Sequence, residues 1–264
     1  MISLRLPMPE SVAAKSVEGQ TAVASVAAQL TDLIYAEMNP GLSLPSEAEM
    51  ATRYGVSRVT IREAIKMLAG RGLVEISRGR RAVVSEPSGK ALGEFLGWIV
   101  QYDPKGMFDL VEVRMSLEIK SVSLAAKRAT RPALAGIENM MQGMRDAGRK
   151  LEESEGDLAI ERAFHQCDVG FHEAIALASG NRVITSLIEA MSVPLERSFF
   201  MSRRGKALRG LPLESTIAAH QKILDCIKKR DSQAAENAMR QHLEESARDM
   251  RAAFDNRSAS IGER

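Results

Sequence analysis

"LPSEAEMATRYGVSRVTIREAIKMLAGRG", residues 44–72, reads as two short helices and the turn between them. Ser46 is followed three residues later by Glu49, the spacing of a capping box, and Gly55 closes the helix so begun. Ser57 then caps a second helix. Its apolar positions Val59, Ile61, Ile65, Leu68 and Ala69 are expected inside, which leaves Arg58, Thr60, Arg62 and Lys66 largely free. Two helices joined by a tight, glycine-containing turn form a helix-turn-helix, whose second member fits a DNA major groove.

The flanks extend this unit. Upstream, "TAVASVAAQLTDLIYAEM" (21–38) recurs with helical period and is stopped by "NPG" (39–41). Downstream, "LVEIS" (73–77) and "RAVVS" (81–85) alternate as short strands around "RGR", giving a hairpin with Gly79 at its tip. Helix, helix-turn-helix and hairpin in that order make a winged helix. From Arg53 to Arg81 there are eight basic residues against Glu63 and Glu75, a net +6, which suits a polyanion. A solvated basic face would give the same count.

Residues 44–84 resemble the DNA-binding domain of GntR-type bacterial transcriptional regulators, through the LPSE start, the GVSR-x-TIREA core and the glycine wing. The resemblance implies that Ser57, Arg58, Thr60 and Arg62 meet double-stranded operator DNA from the second helix, with Arg78 and Gly79 at the wing tip. Arginine forks suit guanine edges, and hydroxyls suit phosphates. Many members carry an arginine directly after the SE of LPSE; here it is Ala48, so that contact is missing.

Composition sets outer bounds. A chain of 264 residues, 45% hydrophobic, can build two modest cores. Aromatics at 4%, with plentiful Ala, Leu and Met, favour helices over a β-sandwich. The overall charge of +2 names no partner. Cys167 and Cys226 stand far apart in no metal-type pair and read as small core residues in a reducing compartment. No apolar run reaches the roughly 18–20 residues of a membrane span, and "MISLRLPMPESVAAK" lacks the apolar core of a signal peptide. The expectation is a soluble, cytoplasmic, mainly helical protein. Its parts are a loose tail (1–19), the winged helix (20–86), a linker (87–104), a helical domain (105–254) and a second tail (255–264).

After "SEPSGK" (85–90) only helical periods follow. Pro104, Pro132 and Pro212 stand where new helices could start, while Pro194 falls inside one and should kink it. Six or seven antiparallel helices in a bundle are expected.

All four histidines lie in this half. In "CDVGFHEAI" (167–175), Asp168 and His172 are one turn apart, and Phe164, Asp168, Phe171, Ile175 and Ser179 mark the inward side. His220 precedes Arg230 by ten residues and His242 follows Asp231 by eleven. In an antiparallel hairpin turning at those two residues, equal distances put the imidazoles at one height. Each histidine could be an ordinary hydrogen-bonded core residue, and Asp168 with His172 a simple i,i+4 pair. One divalent cation would instead satisfy all four polar groups together, and three imidazoles with a carboxylate suit zinc, nickel, manganese or iron more than calcium.

Residues 107–250 also resemble the FCD domain, the helical effector-binding domain of the FadR branch of GntR regulators. The segments that carry it are "FDLVEVRMSLEIKSVSLAAKRAT", "CDVGFHEAIALASGN" and "HQKILDCIKKRDSQAAENAMRQHL". Many such domains hold a metal through an Asp-x-x-x-His pair and two later histidines, which match Asp168, His172, His220 and His242. The resemblance favours a bound metal, and with that donor set zinc is the first expectation, nickel, manganese or iron the others. His165 has no place in that pattern and reads as structural or supporting.

Arg114 shares the inward side of its helix with Leu110, Leu117, Ser121 and Leu124. It would either pair with Glu118 one turn on or hold a ligand carboxylate in its fork. The resemblance favours the second, through the arginine of the "EVR" segment. Metal and Arg114 together suit a hydroxy acid such as lactate or a sugar acid such as an aldonate; long-chain acyl-CoA is not expected where the metal residues are present. The functional expectation is a homodimeric, effector-released repressor on a pseudo-palindromic operator. Two alternatives stay open: a metal-dependent enzyme with Glu173 as base, although Glu173 should point about 100° away from His172, and a constitutive DNA binder with a structural metal.

Overall fold

The computed structural model describes residues 21–102, 105–154 and 156–262. The predicted tail over 1–19 and the helix start at Pro104 lie outside these residues. The chain divides between Ala91 and Leu92 into two units.

In the first unit, α1 (Ala22–Glu37) starts at Thr21, whose hydroxyl accepts from the Ala24 N–H, and buries Val26, Ala27, Leu30 and Ile34. At the head of α2 (Glu47–Tyr54) the capping box is complete. Ser46 Oγ accepts from Glu49 N–H at 3.2 Å, and the Glu49 carboxylate accepts from Ser46 N–H at 2.7 Å. Gly55 closes α2 with φ 67, a left-handed conformation that costs glycine nothing. Capped by Ser57, α3 (Arg58–Gly70) buries Ile61, Ala64, Ile65 and Leu68 at helical spacing. Val59, expected inside, is 66% exposed: two residues before Ile61 it lies about 200° around the helix, and Ala64 takes its place.

Strands β1 (Val74–Glu75) and β2 (Val83–Val84) pair antiparallel with Val74 opposite Val84. They are shorter than the predicted runs because Ile76 is 53% exposed and residues 77–81 have no buried face on which to extend the ladder. The hairpin is also seated on the segment before α2: Leu44 N–H donates to Ala82 O, and Val84 N–H to Leu42 O, each at 2.8 Å.

From Lys90 onward the described residues form seven helices, the first straddling the boundary: α4 (Lys90–Tyr102), α5 (Gly106–Arg128), α6 (Arg131–Glu153), α7 (Leu158–Ala178), α8 (Arg182–Leu208), α9 (Glu214–Lys228) and α10 (Ser232–Gly262). Two expectations need amending. The stretch read as a linker carries α4, because Leu96 and Val100 recur at helical spacing and pack with Met107, Leu110, Ile188 and Leu195. The stretch read as a C-terminal tail continues α10 to Gly262, since residues 255–261 hold neither proline nor glycine to stop it. Thr130 caps α6 with Pro132 in its first turn, and Pro194 is contained within an unbroken α8. Among the described residues no helix is long and apolar enough to cross a membrane.

The largest core gathers Val122, Met141, Met144, Phe164, Phe171, Ile223 and Leu243 from five helices, with Cys167 and Cys226 as free thiols against it. Glycine permits close approach at two places. A Cβ on Gly143 would lie 2.6 Å from Cys167 Sγ, and one on Gly205 would lie 1.6 Å from the Asp249 carbonyl oxygen, so α8 and α10 touch backbone to backbone. Between α9 and α10, Arg230 turns the chain with φ 61. Its guanidinium donates to the carbonyls of Ala129 (2.7 Å) and Ala126 (3.4 Å) at the end of α5.

Candidate metal centre and nucleic-acid interface

Three helices bring the histidines together. His172 (α7) and His220 (α9) are buried and His242 (α10) is partly so. The His220 and His242 rings lie 4.3 Å apart and each is 5.3 Å from the His172 ring. One ring nitrogen from each falls within 4.8 Å of the others. The matched heights of His220 and His242 follow from the hairpin turning at Arg230.

Two of the histidines turn their outer nitrogen to an oxygen. His220 Nδ1 meets the Thr216 carbonyl oxygen at 2.8 Å, which commits that nitrogen to donate and leaves Nε2 with a lone pair. His172 Nδ1 lies against the carboxylate of Glu118 (α5), which is 2% exposed, in an ion-pair contact that is not aligned as a hydrogen bond. Inside the ring of side chains, Asp168 Oδ1 lies 2.7 Å from His220 Nε2 and 3.9 Å from His172 Nε2. These contacts are close, yet Asp168 Oδ1, His172 Nε2 and His220 Nε2 are all buried without an aligned hydrogen-bond partner. Buried polar atoms left this way are costly. A cation ligated by all of them would remove that cost, so the donor set fits a divalent metal.

The electrostatics agree with ligand chemistry. Burial, reinforced by His220 and His172, holds His242 well below the usual histidine range, in the neutral form a ligand requires. Burial would raise the Asp168 carboxyl, but His220, His172 and His242 outweigh it and keep Asp168 ionised. For Glu118 burial again pulls upward; Arg114 and His172 overcome it and hold the carboxyl at about 2.

A cavity of 430 Å³ opens beside the cluster and is lined by Arg114, Asp168, His172 and His242 among others. Arg114 points inward with its side chain 14% exposed, and its Nε donates to Glu118 Oε1. The i,i+4 pairing and the cavity-facing position therefore hold together. His165 stacks against Phe199 with ring centroids 4.2 Å apart and also lines the cavity. Glu173 is turned to α8, accepting from Ser192 Oγ at 2.5 Å.

In the first unit, Ser57, Arg58 and Arg62 are exposed at the start of α3, with Thr60 half-buried beside them. Ser57 Oγ and Thr60 Oγ1 lie 2.9 Å apart. Arg62 makes a two-pronged pair with Glu47 of α2, Nε to Oε1 at 3.1 Å and Nη2 to Oε2 at 2.7 Å. Arg78 and Gly79 are exposed on the wing, with Gly79 at φ 73. Glu47 as the partner of Arg62, and Glu118 as the partner of His172, are the residues that spacing along the chain did not reveal; each partner comes from a different helix.

Comparison with known proteins agrees with both halves. Residues 22–84 match the gntR family of bacterial regulatory proteins, and residues 109–245 match the FCD domain. The galactonate operon transcriptional repressor of Escherichia coli is 30% identical over 78% of this chain and 86% of its own length. The Uxu operon transcriptional regulator of the same organism is 32% identical over 83% of this chain and 82% of its own. The solved structure of Streptococcus agalactiae GntR superposes with a TM-score of 0.66 at 26% identity, covering 86% of this chain and 99% of that one. These relatives are regulators rather than enzymes. The chain belongs to the GntR family of bacterial transcriptional regulators, in the FadR-like branch that joins a winged helix to an FCD domain.

Proposed function

We propose that this regulator is a cytoplasmic homodimeric repressor that leaves its operator when a small hydroxy or sugar carboxylate binds beside a divalent metal, zinc in the first instance. The observation that carries the reading is the convergence of the three histidines, with Asp168 against His220, beside a cavity that also presents Arg114; Asp168 Oδ1, His172 Nε2 and His220 Nε2 are buried there without an aligned partner. When bound, a divalent cation supplies open coordination positions suited to a carboxylate and an α-hydroxyl. Arg114 would orient the ligand carboxylate with its planar fork, itself steadied by Glu118. The relative named for a galactonate operon supports a sugar-acid class of effector.

On DNA, Ser57, Arg58, Thr60 and Arg62 would meet the major groove and its phosphates, with Arg78 and Gly79 following from the wing. The effector shifts the regulator between states of different operator affinity by binding one of them better.

The test is binding of the zinc-loaded protein to its own upstream DNA, with and without a panel of hydroxy and sugar acids. Salt-sensitive binding released by one acid, with no release in His220→Ala, is expected. DNA binding that no acid alters while metal stays bound would overturn the reading and leave the metal a structural role.

A further inference from the structure

The cavity beside the histidines is lined by polar groups besides Arg114 and Asp168, among them Lys206, Ser215 and Asp249. We propose that its wall carries a second polar pole, built by Lys206, Ser215 and Asp249, which takes the distal hydroxyls of a five- or six-carbon sugar acid and thereby rejects two- and three-carbon hydroxy acids. This inference rests on the carboxylate-binding reading above.

Lys206 is 8% exposed and Asp249 1%, and both line the cavity together with Ser215. Lys206 Nζ donates to Ser215 Oγ at 3.1 Å and faces Asp249 Oδ2 at 3.4 Å; Ser215 Oγ donates in turn to Pro212 O at 2.7 Å and keeps one lone pair for a ligand hydroxyl. An ammonium has three donors, so a further one is available to a ligand. Asp249 Oδ1 accepts from Arg209, and Arg209 also meets Glu245 at 2.7 Å. Two cations thus face two carboxylates. A locally balanced group of this kind, with Lys206 and Asp249 buried in it, suits a hydroxyl, which donates and accepts at once. A second carboxylate would find its positive partners already engaged, and an alkyl chain would strip water from the charges and return no hydrogen bond.

Ser215 precedes His220 on α9 by five residues, about 7.5 Å along the axis, and Asp249 follows His242 on α10 by seven, about 10.5 Å. Both offsets run away from the turn at Arg230, so they place the pole on the same side of the histidines. An extended chain advances about 1.2 Å per bond, so six carbons span about 6 Å. Adding a hydrogen bond of about 2.8 Å at the far end gives a reach of about 9 Å, past the level of Ser215, whereas a three-carbon acid falls short of it. Along the way, Ser246 Oγ donates to Ser202 Oγ at 3.3 Å, one turn beyond His242 and one turn before Lys206. This hydroxyl pair stands where the middle of a polyol chain would pass.

The experiment is calorimetric titration of the zinc-loaded full-length protein with lactate, gluconate and 2-hydroxyhexanoate, the last matching gluconate in length without its distal hydroxyls. Wild type should bind gluconate at least about tenfold more tightly than the other two, the worth of one charge-assisted hydrogen bond. Ser215→Ala and Lys206→Gln should each remove that preference while lactate affinity and zinc content stay unchanged. Ser215→Ala guards against misfolding, because it deletes one oxygen. Equal binding of all three acids, or a gluconate preference untouched in both variants, would overturn the second pole and leave the carboxylate site standing. Failure of every acid to bind would overturn both.

Discussion

The buried carboxylate of Glu118 meets His172 on the ring nitrogen that faces away from Asp168. This pairing sets which nitrogen of His172 turns toward the cluster, and it joins α5 to a site otherwise built from α7, α9 and α10. Replacing Glu118 by Ala should lower zinc affinity by about 10–100-fold, the usual effect of removing a partner that orients a ligating histidine. Competition with a chromogenic chelator measures it, and unchanged affinity would show that His172 needs no such support.

Zinc should also act on folding. Its ligands come from three helices, so the unfolded chain offers no preformed site. Metal at about 100 times its dissociation constant should add about 2.7 kcal/mol of stability. In scanning calorimetry a chelator should lower the Tm of wild type and leave that of His242→Ala unmoved. An equal drop in both proteins would contradict the assignment.

At the DNA end, Arg62→Ala should weaken operator binding and shift the slope of log affinity against log salt by about one, as loss of one phosphate contact does. Glu47→Gln should leave stability within about 1 kcal/mol, since the Arg62–Glu47 pair is largely exposed. A loss specific to one base position in the operator, with the salt slope intact, would instead assign Arg62 to base reading.

Ser46→Ala removes one half of the α2 capping box and should cost about 1 kcal/mol in urea denaturation. An intact midpoint would mean that Glu49 holds the helix start unaided.

Arg230 offers a sharper comparison. Arg230→Ala keeps the left-handed backbone and loses both guanidinium bonds to the end of α5, so it should destabilise by about 1–3 kcal/mol. Arg230→Gly loses the same bonds and relieves the backbone, and should be the milder change by about 1 kcal/mol. The reverse order of midpoints would show that the turn tolerates a Cβ without strain.

Much of this was legible in the chain. Capping residues and glycines sit at fixed offsets from the helices they end, so the winged helix could be read locally. Asp168 with His172 follows from one helical turn, and His220 with His242 from symmetric distances to a turn. What spacing could not reveal depends on which helices lie against which. Glu118 is 54 residues from His172, and Lys206 is 43 from Asp249; neither separation has a period that marks a contact. Local periodicity misplaced Val59 because an apolar residue at a helix start was counted with a face it does not share. It passed over α4 because Pro, Ser and Gly just before it suggested that the whole stretch was a connection.

The contact of Gly205 with the backbone of Asp249 also bears on how such a protein can change its ligand over evolutionary time. Where two helices touch main chain to main chain, no exchange of larger for smaller core side chains can bring them closer, and any side chain at Gly205 would force them apart. The length of the cavity at that end is therefore a property of the scaffold and resists drift. Its chemistry is not so protected: single substitutions at Lys206 or Ser215 alter what is recognised at a fixed reach. New specificity in this chain should arise by swapping polar groups along an invariant track.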